Sequence, residues 1–223
     1  MTPGGPDAAL ELVAGLLDES VALAATDPRA NYAQREDECA ALNGAIPKRR
    51  REFAAGRAAA RMAMVRLGLP EQAIPMGEDR APVWPDGLLG SISHTPDACL
   101  AAVARDGDKR LLGLDLEPDV PLDPELWPIV CTPAERDWLD DAAEPARAAK
   151  LIFCAKESAY KAQYPRSRTL IDFHAIEVLP DTRAGTFTAR FRRPVPPFRR
   201  NDPLEGRFAA GNGLIATVVT DPG

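Results

Sequence analysis

The 223-residue chain lacks several features that would place it at once in a common class of protein. Its four cysteines include no CxxC pair, which argues against a zinc site or a disulfide frame and favours free thiols in a reducing compartment. No apolar run approaches the roughly 20 residues that span a bilayer. There is no glycine-rich loop of the P-loop or dinucleotide-binding type. The N-terminal residues are acidic rather than basic, so we expect no secretory signal and a cytoplasmic protein.

The charge of the chain is negative overall but unevenly distributed. The net charge of −6 argues against a general nucleic-acid binder. Residues 48–66 nevertheless carry seven lysines and arginines against one glutamate, and residues 183–207 carry seven more arginines. A basic patch on an acidic protein can attract an anionic ligand or an acidic partner. The alternative is an ordinary solvated helix face.

The pattern of apolar residues and chain breakers predicts an α+β fold, because each half shows helices followed by strands. Predicted helices cover about 7–25, 34–42, 48–67 and 145–164, with further helix starts at Asp123 and at Thr132-Pro-Ala-Glu135. Predicted strands cover 90–94, 98–105, 110–117, 173–179, 185–192, 206–210 and 214–220. We expect two α+β halves, residues 1–112 and 113–223, that form one catalytic unit.

Two carboxylates sit at the end of the strand predicted over 110–117. In an extended chain Asp115 and Glu117 point to one side, while the leucines that alternate with them point to the other. Magnesium prefers a few carboxylates together with water and phosphate oxygens, and this pair suits that preference. The alternative for an isolated Asp-x-Glu is the solvent-facing side of an edge strand.

A third carboxylate lies on the helix predicted over 145–164. Helical spacing puts Glu157 on one face with Phe153 and Cys154, and with Tyr160 and Lys161. A charge within an apolar stripe is costly unless it is paired or holds a metal. The alternative is an exposed ion pair with Lys161 worth a few tenths of a kcal/mol.

Lysines accompany this third carboxylate, and the combination indicates a chemistry. Lys156 and Lys161 would offset the charge of a pyrophosphate or protonate a leaving phosphate. Three carboxylates on buried elements, with these lysines beside one of them, indicate a divalent metal that clamps a phosphate-bearing substrate.

Two further segments carry groups suited to phosphate. Ser91-Ile-Ser-His94 ends a predicted strand, where the histidine either hydrogen-bonds a phosphate or packs as a structural residue. The helix over 48–67 stacks Arg57 and Arg61 four residues apart, and arginine suits phosphate recognition. The alternative is an arginine that snorkels at the edge of the core. Gly56 in this helix would allow close approach of a ligand or backbone.

Taken in order, four segments resemble the 4′-phosphopantetheinyl transferases of siderophore and secondary-metabolite pathways. They are RRREFAAGRAAAR (49–61), RAPVWPDGLLGSISHT (80–95), GLDLEP (113–118) and FCAKESAYKA (153–162). The resemblance implies two similar α+β halves with the active site in the cleft between them. It also implies coenzyme A (CoA) as donor, Mg²⁺ as metal and transfer to a carrier-protein serine with release of 3′,5′-ADP.

The resemblance further implies roles for the acidic and lysine side chains. Asp115, Glu117 and Glu157 correspond to the metal ligands, with Glu157 also the candidate base for the incoming serine. Lys161 corresponds to the pyrophosphate contact and candidate proton donor, with Lys156 beside it.

The CoA-binding residues follow from the same resemblance. His94 and Arg80 would hold the 3′-phosphate, Ser93 would add a hydrogen bond, and Arg57 would bind the nucleotide end. Many members of the family place a lysine directly before Pro82, whereas this chain has an arginine one position earlier.

The implied partners are acidic carrier domains of nonribosomal peptide or polyketide synthases, with no nucleic-acid or membrane partner, and we expect a monomer. Two other functions remain open from the sequence. One is a non-catalytic paralogue that binds CoA or a carrier. The other is a metal-dependent nucleotide phosphohydrolase.

Overall fold

A computed structural model describes residues 4–39, 42 and 44–221. These residues form two antiparallel sheets with helices packed against them, which confirms the α+β class. The helices are α1 (Pro6–Ala14), α2 (Glu36–Cys39), α3 (Pro47–Arg66), α4 (Trp127–Val130), α5 (Pro133–Asp140) and α6 (Pro145–Ser167). The strands are β1 (Val21–Thr26), β2 (Leu88–His94), β3 (Cys99–Arg105), β4 (Leu112–Pro118), β5 (Ile176–Asp181), β6 (Thr186–Phe191), β7 (Pro203–Gly211) and β8 (Leu214–Thr220).

The first sheet has three strands in the order β1-β3-β2. The central strand β3 is apolar along nearly its whole length because both of its faces are covered. Leu100 and Ala102 pack into the core shared with the second sheet, whereas Ala101 and Val103 pack towards α3. Small residues let α3 come close to the sheet, and a Cβ atom on Gly56 would lie 3.0 Å from Ile92 of β2.

The second sheet has five strands in the order β4-β8-β7-β6-β5, and α6 packs across β4 and β8. The alternation predicted for β4 is confirmed. Its three leucines, Leu112, Leu114 and Leu116, lie in the core that faces the first sheet. The opposite face of β4 lies against α6 so closely that a Cβ atom on Gly113 would be 1.9 Å from the carbonyl oxygen of Ser158.

Serine hydroxyls connect the two sheets where β2 runs beside β4. Ser91 Oγ accepts a 2.9 Å hydrogen bond from the backbone N–H of Leu114 and donates a 3.3 Å bond to the carbonyl of the same residue. Ser93 Oγ accepts a 3.2 Å bond from the N–H of Leu116. These bonds fix the position of β2 relative to β4 and therefore the position of the groups that each strand carries.

Part of the N-terminal segment belongs to the core of the protein. Ala9 and Val13 of α1 pack with Leu214 and Val218 of β8, in the core cluster that also contains the inner face of the first sheet. The backbone N–H of Gly4 donates a 2.9 Å bond to the carbonyl of Asn212. Helix α1 therefore joins the first sheet to the last strands of the second.

The structure corrects two of the predicted helices. The helix expected over 7–25 ends at Ala14, and Val21–Thr26 is strand β1 instead, since this apolar stretch pairs with β3. The helix expected over 34–42 is the single turn α2, while residues 40 and 41 lie outside the described residues. A short apolar run is compatible with either a helix or a strand. At Val21–Thr26 the pairing with β3 makes the run a strand.

Two boundaries in the second half also differ from prediction. Helix α6 continues past Pro165 to Ser167, so the proline lies in its last turn. Residues Phe173–Ala175 form a 3₁₀ turn before β5 rather than the start of the strand. The capping box predicted at Thr132 is confirmed, with both of its bonds present.

Within the described ranges, no helix combines the length and the apolar character needed to cross a membrane. The similarity of the two predicted halves stays a prediction.

Candidate active site

A cavity of about 530 Å³ lies between the turn at 79–84, strand β2 and the last turns of α6. Arg80 and Trp84 line it on one side, and Lys161 and Tyr164 line it on the other. The Trp84 ring packs directly on the backbone of Gly90, where a Cβ atom would come within 2.3 Å of the ring. The cavity is therefore bounded by segments from both predicted halves of the chain.

Each of the two strand carboxylates has a lysine partner on α6. Lys161 Nζ lies 2.6 Å from Asp115 Oδ1, and Lys150 Nζ lies 2.5 Å from Glu117 Oε2. The two lysines are eleven residues apart, which brings them to nearly the same face of a helix with 3.6 residues per turn. Glu157 lies on this face as well. Helix α6 therefore presents both lysines and the third carboxylate to β4.

Asp115 is nearly fully buried, with 3% of its surface exposed. Its Oδ1 accepts hydrogen bonds from Lys161 and from Ser93. Its Oδ2 is buried with no hydrogen-bond partner. A buried carboxylate oxygen left unpaired is costly, so this atom is a candidate contact for a cation.

Glu157 is half-buried on α6 and lines a smaller, neighbouring pocket with Tyr160 and Phe173, not the cavity of about 530 Å³ itself. Burial raises the pKa of its carboxyl, and the negative charges of Asp115 and Glu117 raise it further, while Lys161 acts in the opposite direction. For Lys161, burial opposes the charge, but Asp115 and Glu157 outweigh it and raise the pKa of the ammonium. Asp115 and Glu117 thus interact electrostatically with Glu157, and Asp115 and Glu157 keep Lys161 protonated.

Within the part of the chain that the structure describes, no three acidic, histidine or cysteine side chains converge closely enough to hold a metal ion. The physical reason lies in the ion pairs. Lys150 and Lys161 hold the strand carboxylates, so the negative charge is neutralised by ammonium groups. The role of Asp115, Glu117 and Glu157 as metal ligands stays a prediction.

Ser93 is used within the protein rather than left open to a ligand. Its hydroxyl donates to Asp115 and accepts bonds from Lys161 and from the N–H of Leu116, at 2.8, 3.2 and 3.2 Å. A hydroxyl has one proton and two lone pairs, and all three are taken. The structure therefore gives Ser93 a part in holding Asp115, which the sequence did not indicate.

His94 lies at the exposed end of β2, beside the first turns of α3. Its Nε2 is 3.4 Å from Arg49 Nη1. Desolvation lowers the pKa of the imidazole, and the charges of Arg49 and Lys161 lower it further, while the negative charge of Glu52 raises it. His94 and the cationic Arg49 thus lie side by side at the end of β2.

Arg57 is buried in the body of α3, with 5% of its surface exposed. Its guanidinium lies over the ring of Phe53 at 4.2 Å, and its Nε donates a 2.6 Å bond to the carbonyl of Ile74. Burial lowers its pKa to about 10. Arg57 thus fixes the loop around Ile74 to α3.

Lys156 lies apart from Lys161, although the sequence placed the two lysines together. Its Nζ is 2.7 Å from Glu135 Oε2 and donates 2.8 Å bonds to the carbonyls of Val130 and Phe173. Burial lowers the pKa of Lys156, partly offset by Glu135. All three ammonium protons have partners within the protein, so the geometry assigns Lys156 a structural part.

Several residues at the site escaped the sequence reasoning. Lys150 and Tyr164 were not singled out, Tyr160 was named only as a neighbour of Glu157, and Arg49 was counted only within a basic segment. Positions 150, 157, 161 and 164 share one helical face, and this spacing was the available signal. The hydrogen bond from Tyr164 to Asp79 spans 85 residues of sequence and has no local signal.

Comparison with known proteins gives an independent result. Residues 37–104 match the model of the 4′-phosphopantetheinyl transferase N-terminal domain, and residues 111–211 match that of the 4′-phosphopantetheinyl transferase superfamily. The chain is 44% identical to the 4′-phosphopantetheinyl transferase Svp of Streptomyces mobaraensis, over 82% of this chain and 76% of the relative. It is 34% identical to the transferase Npt of Nocardia iowensis, over 78% of this chain and 83% of the relative. It is 39% identical to enterobactin synthase component D of Salmonella typhimurium, over 61% of this chain and 57% of the relative.

The chain therefore belongs to the 4′-phosphopantetheinyl transferase superfamily. It is an enzyme that transfers the phosphopantetheine group to carrier proteins, and the family implies CoA as the donor.

Proposed function

We propose that this enzyme transfers 4′-phosphopantetheine from CoA to a serine of an apo peptidyl, aryl or acyl carrier domain in a Mg²⁺-dependent reaction. The observation that carries the proposal is the buried, unpaired Oδ2 of Asp115, whose Oδ1 is held by Lys161. A carboxylate fixed in this way beside a cavity of about 530 Å³ suits a reaction in which a charged pyrophosphate must be bound.

The carboxylates of the site have the chemistry that suits a magnesium ion, although among the described residues the three do not converge on one point in this structure. Magnesium takes oxygen ligands, and Asp115, Glu117 and Glu157 supply carboxylates on facing elements, with the free Oδ2 of Asp115 as one open contact. A bound Mg²⁺ would supply charge stabilisation to the pyrophosphate oxygens. Glu117 would contribute its carboxylate on release from Lys150, which holds it in this structure.

The reaction itself is a substitution at the β-phosphorus of CoA. The serine oxygen of the carrier forms a bond to this phosphorus, and the bond to the bridging oxygen breaks, which releases 3′,5′-ADP. Glu157 accepts the serine proton, since burial raises its pKa and makes it a better base than an exposed carboxylate. Lys161 lies beside Asp115 as the cation that offsets charge on the leaving group and can donate a proton to it.

Arginines and a histidine bind the CoA nucleotide in this proposal. Arg80 lines the cavity, and His94 lies at the end of the strand that forms its floor. Both are assigned to the 3′-phosphate, with Arg49 beside His94. Arg57 is assigned to the nucleotide end, where its buried guanidinium also supports the loop at Ile74.

We further propose acidic carrier domains of nonribosomal peptide or polyketide synthases as partners, including those of siderophore pathways. The basic stretch at the start of α3, which is exposed at residues 48–51, supports an acidic partner. The four free cysteines are consistent with a reducing compartment, and we place the enzyme in the cytoplasm as a monomer. We retain two halves, residues 1–112 and 113–223, as the expected organisation.

The intact mass of an apo carrier domain tests the proposal after incubation with the enzyme, CoA and Mg²⁺. The expected result is a gain of one phosphopantetheine group, and a parallel sample with a chelator should show none. Gain of the group in the chelated sample would contradict the metal dependence. No gain with several apo carriers, despite CoA binding, would favour a binding paralogue.

A second sample without carrier separates transfer from hydrolysis. A phosphohydrolase would release 3′,5′-ADP from CoA in the absence of any acceptor, and a transferase would release it only when apo carrier is present. A carrier whose acceptor serine is replaced by alanine is the matched control, because it keeps the docking surface and removes only the nucleophile.

A further inference from the structure

The turn that carries Arg80 has an unusual backbone. Met76 and Pro82 form an antiparallel bridge, and the N–H of Gly77 bonds the carbonyl of Ala81 at 2.8 Å. Arg80 itself has a φ of 67°, a left-handed conformation that side chains other than glycine adopt uncommonly. A residue in this conformation persists only when its surroundings hold it there.

Asp79, the residue before Arg80, is held from two sides. Its Oδ1 accepts a 3.0 Å bond from the N–H of Ala81, which closes the turn. Its Oδ2 accepts a 2.6 Å bond from the hydroxyl of Tyr164, in the last turns of α6. Arg168 Nη1 lies farther away, at 3.9 Å from the same oxygen. The turn is therefore tied to α6 across the cavity.

This bond matters for any anion that Arg80 binds. A free aspartate next to Arg80 in sequence would compete with a phosphate for the guanidinium and would repel the phosphate as well. The bond from Tyr164 occupies one carboxylate oxygen and keeps it on the α6 side of the turn. Asp79, Arg80 and Tyr164 all line the same cavity, so the three groups act on one ligand.

We propose that Tyr164 is a positioning residue for CoA, because its hydroxyl holds Asp79 and thereby leaves Arg80 free for the 3′-phosphate. The inference rests on the proposed function, in which Arg80 contacts that phosphate. It goes further by giving a specific task to a hydroxyl group on the opposite side of the cavity.

The test compares the affinities for CoA and dephospho-CoA by calorimetry. Tyr164→Phe should bind CoA about tenfold more weakly, the size expected for one hydrogen bond to a charged group, and should bind dephospho-CoA as the wild type does. In transfer assays KM for CoA should rise while kcat stays unchanged. In an Arg80→Ala background, Tyr164→Phe should have no further effect on CoA affinity.

A matched control is Tyr32→Phe, which removes a tyrosine hydroxyl that accepts a 3.1 Å bond from the N–H of Asp27 and does not line the cavity. It should leave both affinities unchanged. The phenylalanine ring at 164 keeps the packing against Tyr160, whose ring centroid lies 5.7 Å away, so the variant is expected to fold. Thermal unfolding of each variant checks this.

Three outcomes would overturn the inference. They are an unchanged CoA affinity in Tyr164→Phe, an equal loss for CoA and dephospho-CoA, and an additive loss in the Arg80→Ala background. A wild-type enzyme that binds CoA without preference over dephospho-CoA would overturn it too, together with the proposed site for the 3′-phosphate. Failure of the wild-type enzyme to modify any carrier would count against the proposed function, and the calorimetric comparison would still decide the role of Tyr164.

Discussion

The hydroxyl of Ser93 donates a 2.8 Å hydrogen bond to Oδ1 of Asp115, and so a strand of the first sheet holds a carboxylate of the second. Lys161 approaches the same oxygen from α6 at 2.6 Å. Two other elements, β2 and α6, thus hold one carboxylate oxygen of this β4 residue and leave the other unpaired. Preorganisation of this kind lowers the cost of arranging charge when a substrate binds.

The contact between the sheets at Ser91 can be tested by stability. Ser91→Ala should lower the free energy of unfolding by about 1–3 kcal/mol, because it leaves the buried N–H of Leu114 without its acceptor, while the carbonyl keeps its bond from Lys161. Urea denaturation gives this value. Ser20→Ala is a suitable control, since its hydroxyl is exposed and bonds only to the nearby Asp18. Equal free energies of unfolding for the two variants would contradict a stabilising role for the contact between the sheets at Ser91.

The close packing of β4 against α6 predicts a strong effect at Gly113. Gly113→Ala should cost about 3 kcal/mol or more, because the new methyl group meets backbone atoms of α6 that cannot move aside alone. Gly15→Ala is the matched control, since nothing lies within 4 Å of the added Cβ atom and φ is −74°. Calorimetric melting of both variants is the measurement, and similar melting temperatures would contradict the described packing.

Glu157 is predicted to act in the chemical step. Glu157→Gln should reduce kcat by about 10²- to 10⁴-fold, because it removes the base and one candidate metal ligand while keeping the shape of the side chain. The melting temperature should change little, as the residue is only half-buried. Glu125→Gln, at an exposed position, is the control. Full activity of Glu157→Gln in the intact-mass assay would remove Glu157 from the mechanism.

Lys156 offers a test that separates structure from catalysis. Lys156→Met should destabilise the protein by about 3–5 kcal/mol, because Glu135 would remain buried without its partner. The double variant Lys156→Met with Glu135→Gln should regain only part of this loss, because it removes the unpaired charge but turns an amide NH₂ towards the backbone N–H of Thr132 or Val178. If the folded double variant transfers phosphopantetheine at the wild-type rate, Lys156 is structural. A rate loss of a hundredfold or more in a stable double variant would instead place Lys156 in the reaction.

The cysteines should differ in their reactivity towards a thiol reagent. Desolvation raises the pKa of Cys99 to about 12 and that of Cys131 to about 11, and it raises the pKa of Cys154 well above its usual value. At pH 8 these three thiols are therefore almost fully protonated as well as buried, whereas Cys39 is exposed.

One thiol per folded chain should react rapidly at pH 8, and all four should react in guanidinium chloride. Raising the pH from 7 to 9 should not add a second fast reaction, because the pKa values of Cys99 and Cys131 lie above this window. Cys39→Ser should abolish the fast reaction. Any fast-reacting thiol in this variant would contradict the burial of the other three.

Local patterns in the sequence explain what could be predicted. The capping box at Thr132 and Glu135 lies within four residues, and the alternation that separates Asp115 from its neighbouring leucines repeats every two. Both were therefore found before the structure. Helix α3 was found as well, because Pro47 marks its beginning and its residues form helices readily.

The features that could not be predicted depend on contacts between residues that are far apart in the sequence. The apolar run at Val21–Thr26 suits a helix or a strand, and its pairing with β3 about eighty residues later decides between them. Lys156 and Lys161 are similar in sequence context, yet one meets Glu135 and the other Asp115. No pattern within α6 specifies which lysine meets which carboxylate.

The position of α1 has a consequence for how the protein folds. Helix α1 packs partly against β8, about 200 residues later in the sequence, so this part of its apolar face cannot be covered until β8 has been synthesised. Contacts between such distant parts of a chain slow folding, because a long loop must close before they form. The first sheet and α3 can associate earlier, since they are made from residues 21–105 alone. We expect a ribosome-bound chain that stops before β8 to expose this part of α1 to chaperones.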